Sequence, residues 1–162
     1  MAGLEPLVSI EIVTEMDDEL RDKILEIDEA AFGPGSLTQW SLPLFQHYGR
    51  IYIVRYDNEP VGVAELMRDW RDPELVYLYG YAVTPEFRSN GIGTALLRTV
   101  FEALPRAGFQ RLQLTVHPEN RAAIHIYRDK FGMRTVDFIR NYYGQGEDRW
   151  LFEWNQEGYS DE

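Results

Sequence analysis

Cysteine is missing from all 162 residues. Its absence excludes a disulfide scaffold, a cysteine nucleophile and any thiolate metal site. Histidine is scarce, with only His47, His117 and His125, and their spacing matches no ligand pattern, so no metal is expected. Basic residues are outnumbered, 16 against 27 acidic ones, which leaves a net charge of -11. A field of that sign repels nucleic acid and favours a cationic acceptor; no nucleic-acid partner is expected. No apolar run is long enough to span a bilayer, and MAGLEPLVSIEIV lacks the basic start and long apolar stretch of a secretory signal. The expectation is a cytoplasmic protein with no membrane partner. Internal repeats, linkers and low-complexity tracts are also absent.

What is present is a globular composition, 44% hydrophobic and 14% aromatic. The length implies one domain over residues 1–162, with loose tails at 1–6 and 157–162. Ser9–Val13 alternates like a half-buried strand. Asp17 and Asp18 offer a cap for a helix reaching Ala31, where Phe32-Gly33-Pro34-Gly35 must break it. Ser36 offers a cap for a second short helix, which Pro43 interrupts. Arg50–Tyr56 and Val61–Met67 read as a hairpin about the turn Asp57-Asn58-Glu59-Pro60. Leu75–Val83 is nearly continuous in apolar and aromatic residues, as in a strand buried on both faces. An apolar helical stripe follows at Ala95, Leu96, Val100, Phe101 and Leu104, then a strand at Leu112–Val116. This β-α-β order makes those two strands parallel. Ala122, Ala123, Ile126 and Tyr127 mark another helix. Arg134–Tyr143 and Arg149–Trp154 read as two long strands.

The stretch around which the rest is organised is LYGYAVTPEFRSNGIGTALLRTVF, residues 78–101. At its centre Arg88-Ser89-Asn90-Gly91-Ile92-Gly93 leads a loop into a helix, where the first N–H groups have no intrahelical partner. The dipole adds partial positive charge there. Absent side chains at Gly91 and Gly93 allow close approach to the backbone. The chemistry that fits is an anion, a phosphate or pyrophosphate. No Gly-Lys-Ser/Thr follows, so this is no P-loop, and a dinucleotide fingerprint would need a third glycine at Leu96.

The pattern Arg-x-x-Gly-x-Gly, preceded by Ala-Val-Thr-Pro and followed by Ala-Leu-Leu, resembles the acyl-CoA-binding motif of the GNAT superfamily of N-acyltransferases. The resemblance runs from about Leu75 to Trp154. It implies an α/β (α+β) GNAT fold: a mixed, mostly antiparallel sheet of about seven strands with a splayed parallel pair, and about four helices. It further implies acetyl-CoA as co-substrate and a primary amine as acceptor. Carried over, the backbone of Tyr81, Ala82 and Val83 would meet the acetyl and pantetheine portion. Arg88, Ser89, Asn90, Gly91, Ile92, Gly93 and Thr94 would hold the pyrophosphate, and Asn120 would contact the cofactor arm. Tyr127 matches the tyrosine that the family uses as general acid. Asn141-Tyr142-Tyr143 with Gly146-Glu147-Asp148 is similar to the late hairpin of ribosomal-protein alanine N-acetyltransferases and related protein N-terminal acetyltransferases. That narrower resemblance assigns Phe32, Tyr142 and Tyr143 to the substrate.

Two departures stand out. Thr115 occupies a strand position where relatives often carry Glu or His, and threonine is no base near neutral pH. Glu65, Tyr77, Tyr79 and His117 are the substitutes. An α-amine, with a pKa near 8, needs less help than a lysine at about 10.4. Second, Tyr127-Arg128-Asp129-Lys130-Phe131-Gly132 has one residue more between Tyr and Gly than the family pattern, which a helix-end bulge would absorb. The open readings are an N-acetyltransferase for a protein N-terminus or a small amine, an acyl-CoA-binding module without turnover, and an unrelated nucleotide-binding domain. The last hairpin can also pair with a second copy.

Overall fold

The computed structural model describes residues 7–158; the expected tail at 1–6 and the 159–162 part of the other lie outside that range. The elements are β1 (Val8–Ile12), α1 (Asp18–Phe32), α2 (Leu42–Tyr48), β2 (Arg50–Tyr56), β3 (Glu59–Arg68), β4 (Leu75–Val83), α3 (Ile92–Ala103), β5 (Arg111–Val116), α4 (Arg121–Ile124), β6 (Arg134–Ile139) and β7 (Arg149–Asn155). The sheet has seven strands in the order β1-β2-β3-β4-β5-β7-β6. Its β4–β5 pair is parallel, and the pairs β1–β2, β2–β3, β5–β7 and β6–β7 are antiparallel. Among the described residues, seven strands, four α-helices and one parallel pair agree with the expected fold class. The parallel register runs from Leu75↔Arg111 to Tyr77↔Gln113 and stops there, although β4 continues to Val83 and β5 to Val116.

The chain divides into two compact units, Met1–Met67 with Gly80–Ala103, and Arg68–Tyr79 with Leu104–Glu162. In the first, α1 starts where Asp17 caps it: its carboxylate accepts the Leu20 N–H at 2.8 Å. Ile24 and Ile27, three apart on one helix face, are buried with Leu42, Ile51, Ile53, Val63 and Ala82. Each such large aliphatic side chain contributes about 1.5–3 kcal/mol on burial. Gly33 ends α1 at φ +55°. The second helix differs from expectation. It begins at Leu42, with Pro43 in its first turn, where no N–H is required. Ser36 does not cap it; Thr38 and Ser41 form a separate turn, with the Thr38 N–H on Ser41 Oγ at 2.8 Å. The β2–β3 hairpin turns at Asp57 and Asn58, both at positive φ, as a two-residue turn between twisted strands demands.

In the second unit, Leu112, Leu114 and Phe152 are buried where β5 pairs with β7. Arg111 bonds Glu153 at 3.0 Å and also pairs with Asp72. The surplus residue after Tyr127 is absorbed as a π-helical turn over His125–Lys130, in which the Phe131 N–H reaches Ile126 O at 3.1 Å. Strand β6 ends at Ile139 rather than Tyr143, because Asn141 turns the chain at φ +53°.

Candidate active site

The glycine loop is built from β4 outward. The Thr84 N–H donates to Val61 O at 2.8 Å, the Arg88 Nε–H donates back to Val83 O at 3.0 Å, and Phe87 packs on Tyr56 with ring centroids 5.0 Å apart. These ties fix the approach to α3 and occupy the Val83 carbonyl. The first helical bond of α3 runs from Ala95 N to Gly91 O at 3.0 Å, and among the described residues the N–H groups of Ile92, Gly93 and Thr94 find no acceptor. Gly91 has φ +74°, and a Cβ there would meet nothing within 4 Å. Gly93 differs: a Cβ would lie 2.2 Å from the Tyr81 hydroxyl oxygen. One glycine supplies a left-handed turn beside open space; the other makes room for a tyrosine. Burial pushes the Tyr81 phenol well above its ordinary value, so it stays neutral. Ser89 and Asn90 are exposed at the loop tip.

In the second unit, Asn120 caps α4, its side-chain oxygen accepting the Ala123 N–H at 3.2 Å. Tyr127 is buried within the π turn. The Glu119 N–H bonds His117 Nδ1 at 3.1 Å, which ties up the ring nitrogen that a base would need there. His125 is exposed and pairs with Asp129 at 2.7 Å.

A group of hydroxyls lies at the end of the parallel pair. Tyr77 Oη and Thr115 Oγ1 are 2.7 Å apart, and Tyr143 Oη is 3.5 Å and 3.3 Å from them. Burial raises the Tyr77 pKa, so this phenol keeps its proton near neutral pH and can donate a hydrogen bond. Tyr142 and Tyr143 meet edge to face at 4.7 Å, and the Arg149 guanidinium covers the Tyr143 ring at 4.9 Å. Their loop is held by Asn141, whose N–H donates to Asp148 at 2.9 Å while its side chain accepts the Gly146 N–H at 2.8 Å.

In the first unit, Phe32 closes α1, 38% exposed, and a Cβ on Gly80 would come within 3.4 Å of its ring. Glu65 and Asp28 lie beneath, both fully buried. Burial pushes both carboxyls up, Glu65 the further.

The model of the Acetyltransferase (GNAT) family matches residues 15–133, well over half of the chain. The chain belongs to the GNAT acetyltransferase family. It is 28% identical over 141 residues to an N-alpha-acetyltransferase of Sulfolobus acidocaldarius, an alignment spanning 80% of this chain and 83% of the relative. It is 27% identical over 134 residues to a [ribosomal protein bS18]-alanine N-acetyltransferase of Bacillus subtilis described as putative, spanning 78% and 83%. Among solved structures, the ribosomal-protein-S18-alanine N-acetyltransferase from Escherichia coli superposes with a TM-score of 0.77 at 20% identity, over 96% of this chain and 97% of that one. This GNAT protein is an N-acetyltransferase.

The structure gathers Tyr81, Val83, Arg88, Gly91, Ile92, Gly93 and Thr94 at one helix start, while Ala82 is buried in the core of the same unit. It gives Asn120 a capping bond that the sequence reading does not assign. It joins Tyr143 to Tyr77 and Thr115. Thr115 stands out in the sequence as a missing acid; its hydroxyl is instead a partner for Tyr77. The signal is the shared presence of polar residues on adjoining parallel strands, legible only once their register is known. Asp28 is read from the sequence only as part of the first helix: it sits among other acids, and nothing local marks its carboxyl as a buried, functional group.

Proposed function

We propose that this GNAT enzyme transfers the acetyl group of acetyl-CoA to the α-amine of a protein N-terminus. The observation that carries the reading is the set of unengaged first-turn amides at Ile92, Gly93 and Thr94 beside the open, left-handed Gly91. Three parallel N–H groups at the positive end of a twelve-residue helix suit a diphosphate and little else on this chain. Acetyl-CoA supplies an activated acyl group as a thioester. The neutral amine attacks the thioester carbonyl, the C–S bond breaks, the nitrogen releases one proton to solvent as it becomes an amide, and the chain returns one proton to the departing sulfur.

Tyr127 is the proton donor in this reading, because a phenol, of ordinary pKa about 10, is close enough in acidity to a thiol of pKa about 8.5 to protonate its thiolate as it leaves. The absence of a strong base at Thr115 suits an α-amine, a useful fraction of which is neutral near pH 7.5, better than a lysine. Phe32 is the residue of the first unit assigned to the acceptor, and Tyr142 and Tyr143 are those of the second. Support for the acceptor class comes from the relatives named N-alpha-acetyltransferase. Arabidopsis thaliana Naa50, a structure solved with the bisubstrate analogue CoA-Ac-MVNAL, has a TM-score of 0.76 at 21% identity, over 91% of this chain and 98% of that one.

The test is calorimetry with CoA, followed by mass spectrometry of peptides with free or blocked N-termini incubated with acetyl-CoA. Acetylation of the free α-amine alone is the expected result. Labelling of internal lysines, or of polyamines in preference to peptides, would overturn the acceptor assignment. Tyr127→Phe should lower kcat by about 10²–10⁴-fold with CoA affinity unchanged. Unaltered turnover would remove Tyr127 from the reaction.

A further inference from the structure

Two carboxyls, Asp28 on α1 and Glu65 on β3, are completely buried within one compact unit. Asp28 Oδ2 accepts the Leu37 N–H at 2.5 Å. The remaining oxygens, Asp28 Oδ1 and Glu65 Oε1 and Oε2, reach no N–H or O–H donor among the described residues. Phe32, one turn after Asp28 on α1, borders the same spot as Glu65 Oε2, and burial together with the Asp28 charge pushes the Glu65 carboxyl up. Two carboxylates cannot hydrogen bond, since neither has a proton to give. One proton held between them resolves the conflict and removes the cost of two buried like charges. The Leu37 N–H stabilises the Asp28 anion, so the proton belongs on Glu65.

The surroundings show what the pair holds. A Cβ at Gly80 would stand 1.9 Å from Glu65 Oε2, so only glycine leaves space for that carboxyl, and the Phe32 ring borders the same spot. Across the pair, Phe32-Gly33-Pro34-Gly35-Ser36-Leu37 loops out. Cβ atoms at Gly33 or Gly35 would meet nothing within 4 Å, so the loop crest borders open space at these two positions. Its far end is secured by the buried Leu37 side chain and by the Asp28–Leu37 bond.

We propose that Asp28 and Glu65 share a single proton and together act as a clasp that positions the Phe32–Leu37 segment against the acceptor. Glu65 is then a positioning residue, not the base. The positioning role rests on the reading that Phe32 borders the acceptor; the shared proton does not.

The full-length protein carries the test. Infrared spectra at neutral pH should show a protonated-carboxyl band in the wild type that is lost in Glu65→Gln; a wild type without that band overturns the shared proton. The amide that Glu65→Gln introduces would offer Asp28 Oδ1 a permanent N–H. Glu65→Gln should therefore keep kcat and acceptor KM within about twofold of wild type. A collapse of kcat in Glu65→Gln, with Leu37 still protected from hydrogen exchange, would make Glu65 the base and overturn the proposal. Asp28→Ala should lose Leu37 amide protection and raise acceptor KM about tenfold, with KM for acetyl-CoA unmoved. Retained Leu37 protection in that variant overturns the clasp. Lost protection with unchanged acceptor KM overturns its positioning role. If wild type acetylates no N-terminal peptide, the acceptor reading fails, while the infrared and exchange results still decide the clasp.

Discussion

Gly93 and Tyr81 illustrate how a motif residue can serve its own fold. The missing Cβ at Gly93 is space already taken by the Tyr81 hydroxyl, with Val83 Cγ2 at 3.1 Å behind it. Gly93→Ala should therefore cost about 1–3 kcal/mol, as overpacking does. Tyr81→Phe removes the obstructing oxygen, so the double variant should lose less than the two single losses added together. Urea midpoints measure this, and strict additivity would show that the two residues are uncoupled. The buried carboxyl pair makes a different single-residue prediction. Glu65 is held well above the ordinary glutamate range by burial and by Asp28, so the folded chain binds its proton more tightly than the unfolded one. Stability from that proton is complete below the unfolded value, about 4.3, and is lost as pH climbs through the folded value. The unfolding free energy of wild type less that of Glu65→Gln should fall as pH rises from about 4.3. A difference that grows with pH would mean that Glu65 folds as an anion.

The π turn at the end of α4 is the clearest event among the elements. Removing Asp129 leaves Tyr127-Arg128-Lys130-Phe131-Gly132, the shorter spacing of the family pattern, and sacrifices only exposed ion pairs with His125 and Arg128. The deletion variant should regain regular i→i+4 bonding and melt within about 5 °C of wild type, since exposed pairs contribute little. Calorimetric loss of a cooperative transition would show that the extra residue is structurally required. This surplus is legible in the sequence because it breaks a known spacing. The β2–β3 hairpin is legible because Asp57-Asn58 is turn chemistry between two alternating runs. Helix α2 is misread from sequence because Ser36-Leu37 looks like a cap followed by an apolar stripe. Leu37 instead enters the core from a loop, held by Asp28 nine residues back. Strand β6 is drawn too long because Tyr142 and Tyr143 are strong strand formers, a propensity overridden by the left-handed Asn141. In each miss, a bond between residues distant in sequence outweighs the local pattern: Asp28 holds Leu37, and Asp148 holds Asn141.

At the scale of the whole chain, the net charge of -11 acts on anything that approaches. Peptides with lysine or arginine near the N-terminus should show kcat/KM falling several-fold as ionic strength rises from about 0.01 to 0.15 M, while neutral peptides change little. Equal salt dependence for both would remove electrostatic attraction from acceptor capture. The two units, Met1–Met67 with Gly80–Ala103 and Arg68–Tyr79 with Leu104–Glu162, have another consequence. Strand β4 contributes Leu75–Tyr79 to one and Gly80–Val83 to the other. Gene shuffling between related enzymes cannot trade one unit through a single crossover, since breaks after Met67, after Tyr79 and after Ala103 are all needed and one of them falls inside a strand.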